Sequence, residues 1–360
     1  MKQLCYNVIT LRNEKESKSN SLKHGCCISY TQESGFMREN LQQTNKLYIV
    51  MYHYTRDLVH SRYPRIKGLE LTLFRKQILF FKQTFHVVSM EEVLGALNGQ
   101  VKLPENALLL TFDDGYLDNY TYAMPILEEA KMQGSFFIPG KTFSEHKLLD
   151  VNKIHYILAA ANLDELLSDV LERMNFYRGN EYDFPENKEL FAEYAKANRF
   201  DAKEVIFIKR MLQTVLPERL RNQIASDLFE KYVGVTEEQL AYELYMTRQQ
   251  IWTMKQHGMF IGVHGYDHYW LGNLPREKMQ NDIHMALEVM DGLIDRNCWV
   301  MNYPYGNYNK DVIDYARSQG ACAGFTTEVR AVEIGRDQPF ELPRFDCNDF
   351  PPKSENYKEY

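Results

Sequence analysis

The stretch Leu108-Leu109-Leu110-Thr111-Phe112-Asp113-Asp114-Gly115 decides the reading of the fold. An apolar run long enough for one strand buried on both faces ends in two adjacent carboxylates and a glycine. Successive strand residues point to opposite faces, so a solvated edge does not explain both aspartates. At a strand's end both can turn into one site.

Upstream, residues 46–51 read as a strand that ends in Tyr52-His53-Tyr54. Residues 72–84 carry Leu73, Ile78, Leu79 and Phe80 and read as a helix, and residues 85–89 as a strand. Ser89 with Glu92 three positions on has capping-box spacing. Downstream, a helix over residues 124–132 starts near Pro125 and is expected to stop at Gly134, before a strand over 135–139. Strand and helix alternate, which predicts parallel β/α units with functional groups at the C-terminal ends of the strands.

That rhythm breaks over residues 146–257, which read as almost purely helical. Leu163, Leu166, Leu167, Val170 and Leu171 mark one helical face; Val205, Ile208, Met211, Leu212 and Val215 mark another. Pro217 opens a further helix, and Thr236/Gln239 and Thr247/Gln250 have capping-box spacing. This is read as a helical insertion in one barrel, open as to lid, substrate wall or oligomer contact. The β/α rhythm resumes with a strand over 259–263 that runs into His264-Gly265-Tyr266-Asp267-His268. A helix through Met279, Ile283 and Leu287 follows, then a strand over 298–301 leading into Asn302-Tyr303-Pro304-Tyr305-Gly306. A helix over 312–318, a strand over 321–326 and a last element over 340–346 complete the pattern. The domain reading is a polar extension over 1–45, a barrel over 46–350 and a loose polar tail over 351–360.

With 360 residues, 44% of them hydrophobic, the chain can bury a large core. The formal charge of −7 and the lack of a basic block argue against a nucleic-acid binder. No run of about 18 apolar residues predicts a membrane span. Residues 1–45 show no basic n-region, sustained apolar stretch or cleavage site, so a cytoplasmic protein is expected. Cys5, Cys26, Cys27, Cys298, Cys322 and Cys347 are scattered without CxxC spacing and read as free thiols. The sequence does not set the oligomeric state.

His264 and His268 stand four apart directly after a buried-looking strand. Two imidazoles and one carboxylate make a common open site for a catalytic divalent metal. Histidines at that spacing can equally be one helix face; coupled to Asp-Asp-Gly at another strand end, the metal reading gains weight.

Thr111-Phe-Asp-Asp-Gly115, His264-Gly-Tyr-Asp-His268 and Tyr303-Pro-Tyr-Gly306, in that order, resemble the polysaccharide deacetylases, the carbohydrate esterase family 4 or NodB-like enzymes. The resemblance covers roughly residues 46–140 and 258–346. It implies an α/β fold, a deformed (β/α)7-type barrel here with a large helical insertion, and metal-dependent removal of an acetyl group from an N-acetylated sugar. By resemblance, Asp114, His264 and His268 would hold the metal, zinc first, with cobalt, nickel or manganese as alternatives. Asp113 would be the general base, taking a proton from water that the metal acidifies. Pro304 and Tyr305 would line the pocket, and the Tyr116 backbone N–H would stabilise the oxyanion. Asp118 and Asp267 read as supporting or capping acids, and the remaining histidines as structural.

Two departures matter. The family's third motif often starts with an arginine that orients the base, where this chain has Asn302. The C-terminal Leu-x-His motif, whose histidine acts as general acid, is absent: Leu342-Pro343-Arg344 stands where it is expected. Met51-Tyr52-His53-Tyr54 resembles the N-terminal motif of the poly-N-acetylglucosamine deacetylase branch, with its permuted motif order. His53 is therefore the candidate acid, against a structural histidine at a strand end. Arg344 could orient Asp113 in place of the missing arginine, or form a structural salt bridge. The substrate class implied is an N-acetylated sugar, as glycan or as nucleotide- or lipid-linked sugar, in cell-surface polysaccharide or glycoconjugate biosynthesis. The alternatives are hydrolysis of another amide or an O-acetyl ester, or a non-catalytic glycan-binding homologue.

Overall fold

The computed structural model describes residues 46–179 and 181–359, so the extension expected over 1–45 lies outside the described residues. Six strands hydrogen-bond side by side in chain order: β1 (Lys46–Tyr52), β2 (Ala107–Phe112), β3 (Ser135–Ile138), β4 (Phe260–Val263), β5 (Trp299–Asn302) and β6 (Ala321–Phe325). All five of these pairings are parallel. β7 (Phe345–Asp346) pairs in parallel with β1, and Leu342 bridges to Phe325 of β6, so the sheet curls back on itself. This is the deformed (β/α)7-type barrel that the alternation and the resemblance imply.

Helices α1 (Leu71–Thr84) and α2 (Met90–Leu97) lie between β1 and β2, and α3 (Met124–Ala130) follows β2. Between β3 and β4 the chain runs through α4 (Gly140–Ser144), α5 (Asp150–Ala160), α6 (Leu163–Tyr177) and α7 (Asn187–Tyr194). It continues there through α8 (Lys203–Arg210), α9 (Glu218–Val233), α10 (Glu237–Leu244) and α11 (Arg248–Gln256). Then α12 (Arg276–Val289) follows β4 and α13 (Lys310–Ser318) follows β5. The capping boxes at Ser89/Glu92, Thr236/Gln239 and Thr247/Gln250 all form, each satisfying two otherwise orphaned amides.

Strand alternation divides the core. Leu108, Leu110 and Phe112 face outward and pack with Phe74, Phe81, Leu127 and Leu287 of the surrounding helices. Leu47, Ile49, Ala107, Leu109, Phe137 and Val300 fill the other face, inside the barrel. Both faces of β2 are thus dry, which is why its sequence is an unbroken apolar run. The helices between β3 and β4 have a core of their own, built on Ile154, Leu166, Phe207, Leu220 and Leu228, and Tyr54 and Tyr116 from the barrel's strand ends are part of it.

Two local expectations are corrected. Helix α3 ends at Lys131, which itself adopts the left-handed cap (φ 59°), three residues before Gly134. Residues 351–359, expected to be loose, dock instead. Tyr357 is buried and stacks on Phe350 with ring centroids 4.7 Å apart, and burial of an aromatic ring repays the ordering of a short polar segment.

Candidate metal centre and active site

Alternation along the strands assembles the site. On β2, Ala107 and Leu109 point into the barrel, so Thr111 and Asp113 follow them on the same face. The same parity places His53 beyond Leu47 and Ile49, Asn302 beyond Val300, and Arg344 beyond Leu342. Asp114 is out of phase and would face the helices. It is redirected by backbone: Asp114 and Gly115 both take left-handed conformations (φ 71° and 70°), turning the second carboxylate into the barrel mouth. A side chain at Gly115 would also bring its Cβ within 2.6 Å of Ile138 Cγ2. His268 and Tyr305 share this unfavourable region (φ 57° and 59°); such residues cost about 1–3 kcal/mol each and cluster at working sites.

Asp114, His264 and His268 are all buried, with ligating atoms within 4.8 Å of one another. Asp114 Oδ1 lies 3.5 Å from His264 Nε2 and 3.3 Å from His268 Nε2, and has no hydrogen-bond partner. His264 Nδ1 is 2.7 Å from the Asn302 carbonyl; donating there, the neutral ring keeps a lone pair on Nε2. Burial pushes His268 below its ordinary value, which keeps that ring neutral too. A bare carboxylate oxygen facing two neutral imidazoles is a donor set that fits a divalent cation. The other oxygen, Oδ2, accepts from the Tyr116 hydroxyl at 2.5 Å.

Asp113 is bound differently. Arg344, 1% exposed, grips it through two parallel bonds, both 2.9 Å, and donates also to Thr111 Oγ1 (3.1 Å) and the Thr326 carbonyl (3.1 Å). Burial would raise the Asp113 carboxyl, and the Arg344 guanidinium overrides it, leaving the group below its ordinary value and ionised. His53 Nε2 stands 3.8 Å from Asp113 Oδ2, with its side chain 38% exposed. The site thus brings Asp113, Asp114, His53, His264, His268 and Arg344 together. Tyr305 stacks on Trp270 (4.5 Å) and meets His268 edge-on (4.6 Å), and Pro304 is buried beside it. A cleft of about 200 Å³ opens from His268 and Tyr305 past Trp270 toward Asp150 and Arg221 of the helical segment.

Asn302, in the place of the expected arginine, is fully buried with both amide atoms unpartnered. Asp118 pairs with Arg56 (2.6 Å), and Asp267 pairs with Lys141. Asp282 went unnoticed in the sequence. Its carboxylate accepts the amides of Tyr266 and Asp267 (both 2.9 Å), bracing the loop between the two histidines from α12. The available signal was an acid on the buried face of that helix, beside Met279 and Ile283.

His155 of α5 sits 3.3 Å from the Tyr54 hydroxyl, and burial pushes its pKa down to about 3. Unfolding therefore takes up a proton once pH falls below the unfolded value of about 6.5, and stability drops by about 1.4 kcal/mol per pH unit from there. Denaturant unfolding at pH 7 and pH 5 should show wild type losing about 2 kcal/mol more than His155→Gln. Equal losses would show that the folded protein protonates this ring as readily as the unfolded chain does.

A family model, Polysaccharide deacetylase, matches residues 100–176 and 226–323, which include Asp113, Asp114, His264, His268 and Tyr305 but not His53 or Arg344. YxkH of Bacillus subtilis, named for the same family, is 29% identical over 99 residues, 28% of this chain and 35% of that one. The poly-beta-1,6-N-acetyl-D-glucosamine N-deacetylase of Escherichia coli is 35% identical over 65 residues, 18% of this chain and 10% of that one. The matches thus span about a third and a tenth of these relatives' lengths. The Streptococcus pyogenes deacetylase PplD, solved with acetate, shares the fold with a TM-score of 0.53 at 16% identity, over 88% of this chain and 97% of that one. The family-model match, which resumes on the far side of the α7–α8 region and takes in the Asp, His and Tyr residues of the site, identifies a polysaccharide deacetylase domain in this chain.

Proposed function

We propose that this protein is a metal-dependent hydrolase that removes N-acetyl groups from a glycan of N-acetylated glucosamine. The observation that carries the reading is the divided pair: Asp114 presents a bare oxygen to two neutral imidazoles, while Asp113, one residue away, is gripped by Arg344 and takes no part in that set. The name of the Escherichia coli relative supports an N-acetylglucosamine polymer as substrate.

Asp114, His264 and His268 would hold one divalent ion, zinc first among the candidates. When bound, such an ion polarises an acyl carbonyl and acidifies water. Asp113, ionised beside Arg344, takes the proton of the attacking water as the new carbon–oxygen bond forms. The Tyr116 amide would stabilise the developing oxyanion, as the resemblance implies. His53, at the open edge of the site, gives a proton to the sugar nitrogen as the carbon–nitrogen bond breaks, releasing acetate and a free amine. The Tyr305–Trp270 stack offers an apolar wall for a sugar ring.

The test is acetate release from β-1,6-linked N-acetylglucosamine oligomers by zinc-loaded protein, with an O-acetylated glycan in parallel. Release from the amide substrate is expected. Turnover of the ester alone would change the reaction, and no turnover of either would leave a glycan-binding homologue. Elemental analysis should find one metal per chain in wild type and none in His264→Ala; equal metal content would remove the centre from this site.

A further inference from the structure

Behind Asp114 lies a hydrogen-bond chain whose direction is set at its far end. The Leu149 amide donates to the Tyr245 hydroxyl at 3.0 Å, so that hydroxyl must pass its own proton to Asn152 Oδ1. This orients the Asn152 amide. Its Nδ2 then donates to the hydroxyls of Tyr116 (2.7 Å) and Tyr54 (2.8 Å), and Tyr116 in turn donates to Asp114 Oδ2 at 2.5 Å. Tyr54 is left to donate to His155 Nδ1, 3.3 Å away. Asn152 and Tyr116 are 0% exposed and Tyr245 is 1% exposed, so water does not compete for these bonds. Each donor polarises the next in a chain that ends on the carboxylate.

The geometry points to Asn152 as a positioning residue for the metal-binding carboxylate: acting through the Tyr116 hydroxyl, it ties down Asp114 Oδ2 and leaves Oδ1 as the single ligating oxygen. The inference rests on the metal reading of Asp114, His264 and His268. It makes the helical segment between β3 and β4 part of the metal centre, because Leu149, Asn152 and Tyr245 all belong to that segment. A wall or lid that merely covered the cleft would not need to reach the ligand.

Zinc affinity, measured by competition with a chromophoric chelator, tests this in Asn152→Leu, Tyr116→Phe and the double variant. Each single variant should bind zinc about 10–100-fold more weakly, the loss typical for a group that orients a ligand. The double variant should bind no more weakly than Tyr116→Phe alone, because the effect of Asn152 runs through that hydroxyl. If Asn152→Leu does not fold, Tyr245→Phe takes its place, since it keeps the ring and frees the Asn152 amide to rotate. A weaker zinc affinity is expected there too. Wild-type zinc affinity in the variants, with only the melting temperature of the metal-free protein lowered, overturns the positioning role and leaves the metal centre standing. Wild type that binds no zinc overturns both.

Discussion

Asp113→Asn is expected to lower turnover by about 10²–10⁴-fold, the contribution typical of a positioned general base, while zinc remains bound at one equivalent. The amide is nearly isosteric, so the barrel mouth keeps its shape, but it cannot take a proton from water. Asp114 and its imidazoles are untouched, so metal content separates loss of the base from loss of the ion. A secondary cost is expected. The Asn amide nitrogen would face one Arg344 N–H, breaking one of the two 2.9 Å bonds and costing about 1–3 kcal/mol of stability. Turnover should therefore be measured well below the melting transition. Acetate release equal to wild type would show that another group accepts the proton.

Arg344→Met is expected to cost about 3–5 kcal/mol, because it leaves a buried carboxylate without its counter-charge. Its effect on pH is the more telling result. In wild type the guanidinium outweighs burial and holds Asp113 below its ordinary value. The pair therefore contributes stability that is present at neutral pH and lost as pH falls through the folded pKa. Without Arg344, burial is opposed only by the neighbouring His53 and His264, and the carboxyl rises relative to wild type. The stability that the ionised carboxylate contributes shrinks accordingly. As a base works only when ionised, the acid limb of the pH–rate profile should move to higher pH in the variant. A limb that stays in place, with stability alone reduced, would reduce Arg344 to a structural cation.

Arg344 also shows where sequence reading reached its limit. The missing arginine at Asn302 makes an arginine after the last strand a candidate partner for Asp113, yet the sequence by itself favours a structural salt bridge there. Strand parity supplies the contact: Leu342 faces the barrel interior, so Arg344 does as well, and its fork reaches both Asp113 oxygens and Thr111. The partners of Asp282 and Asn152 were not legible. Each lies on a helix far along the chain from what it holds, and an acid or amide on a helix has no local pattern that reveals its partner.

What the sequence determined by itself is whatever depends on local periodicity. The apolar run of β2, the alternation of strand and helix, the capping boxes and the two histidines four apart specify the barrel units and the side of the sheet each strand-end residue occupies, because period and propensity act over a few residues. The tertiary structure alone decided which long-range partners meet. It turned Asp114 back into the mouth through a left-handed backbone that sheet parity opposes, closed Arg344 onto Asp113 across the barrel seam, and ran Asn152 from a separate helical core to the carboxylate. These contacts join residues 36 to 231 positions apart, and only the packing of whole elements brings such groups within hydrogen-bond reach.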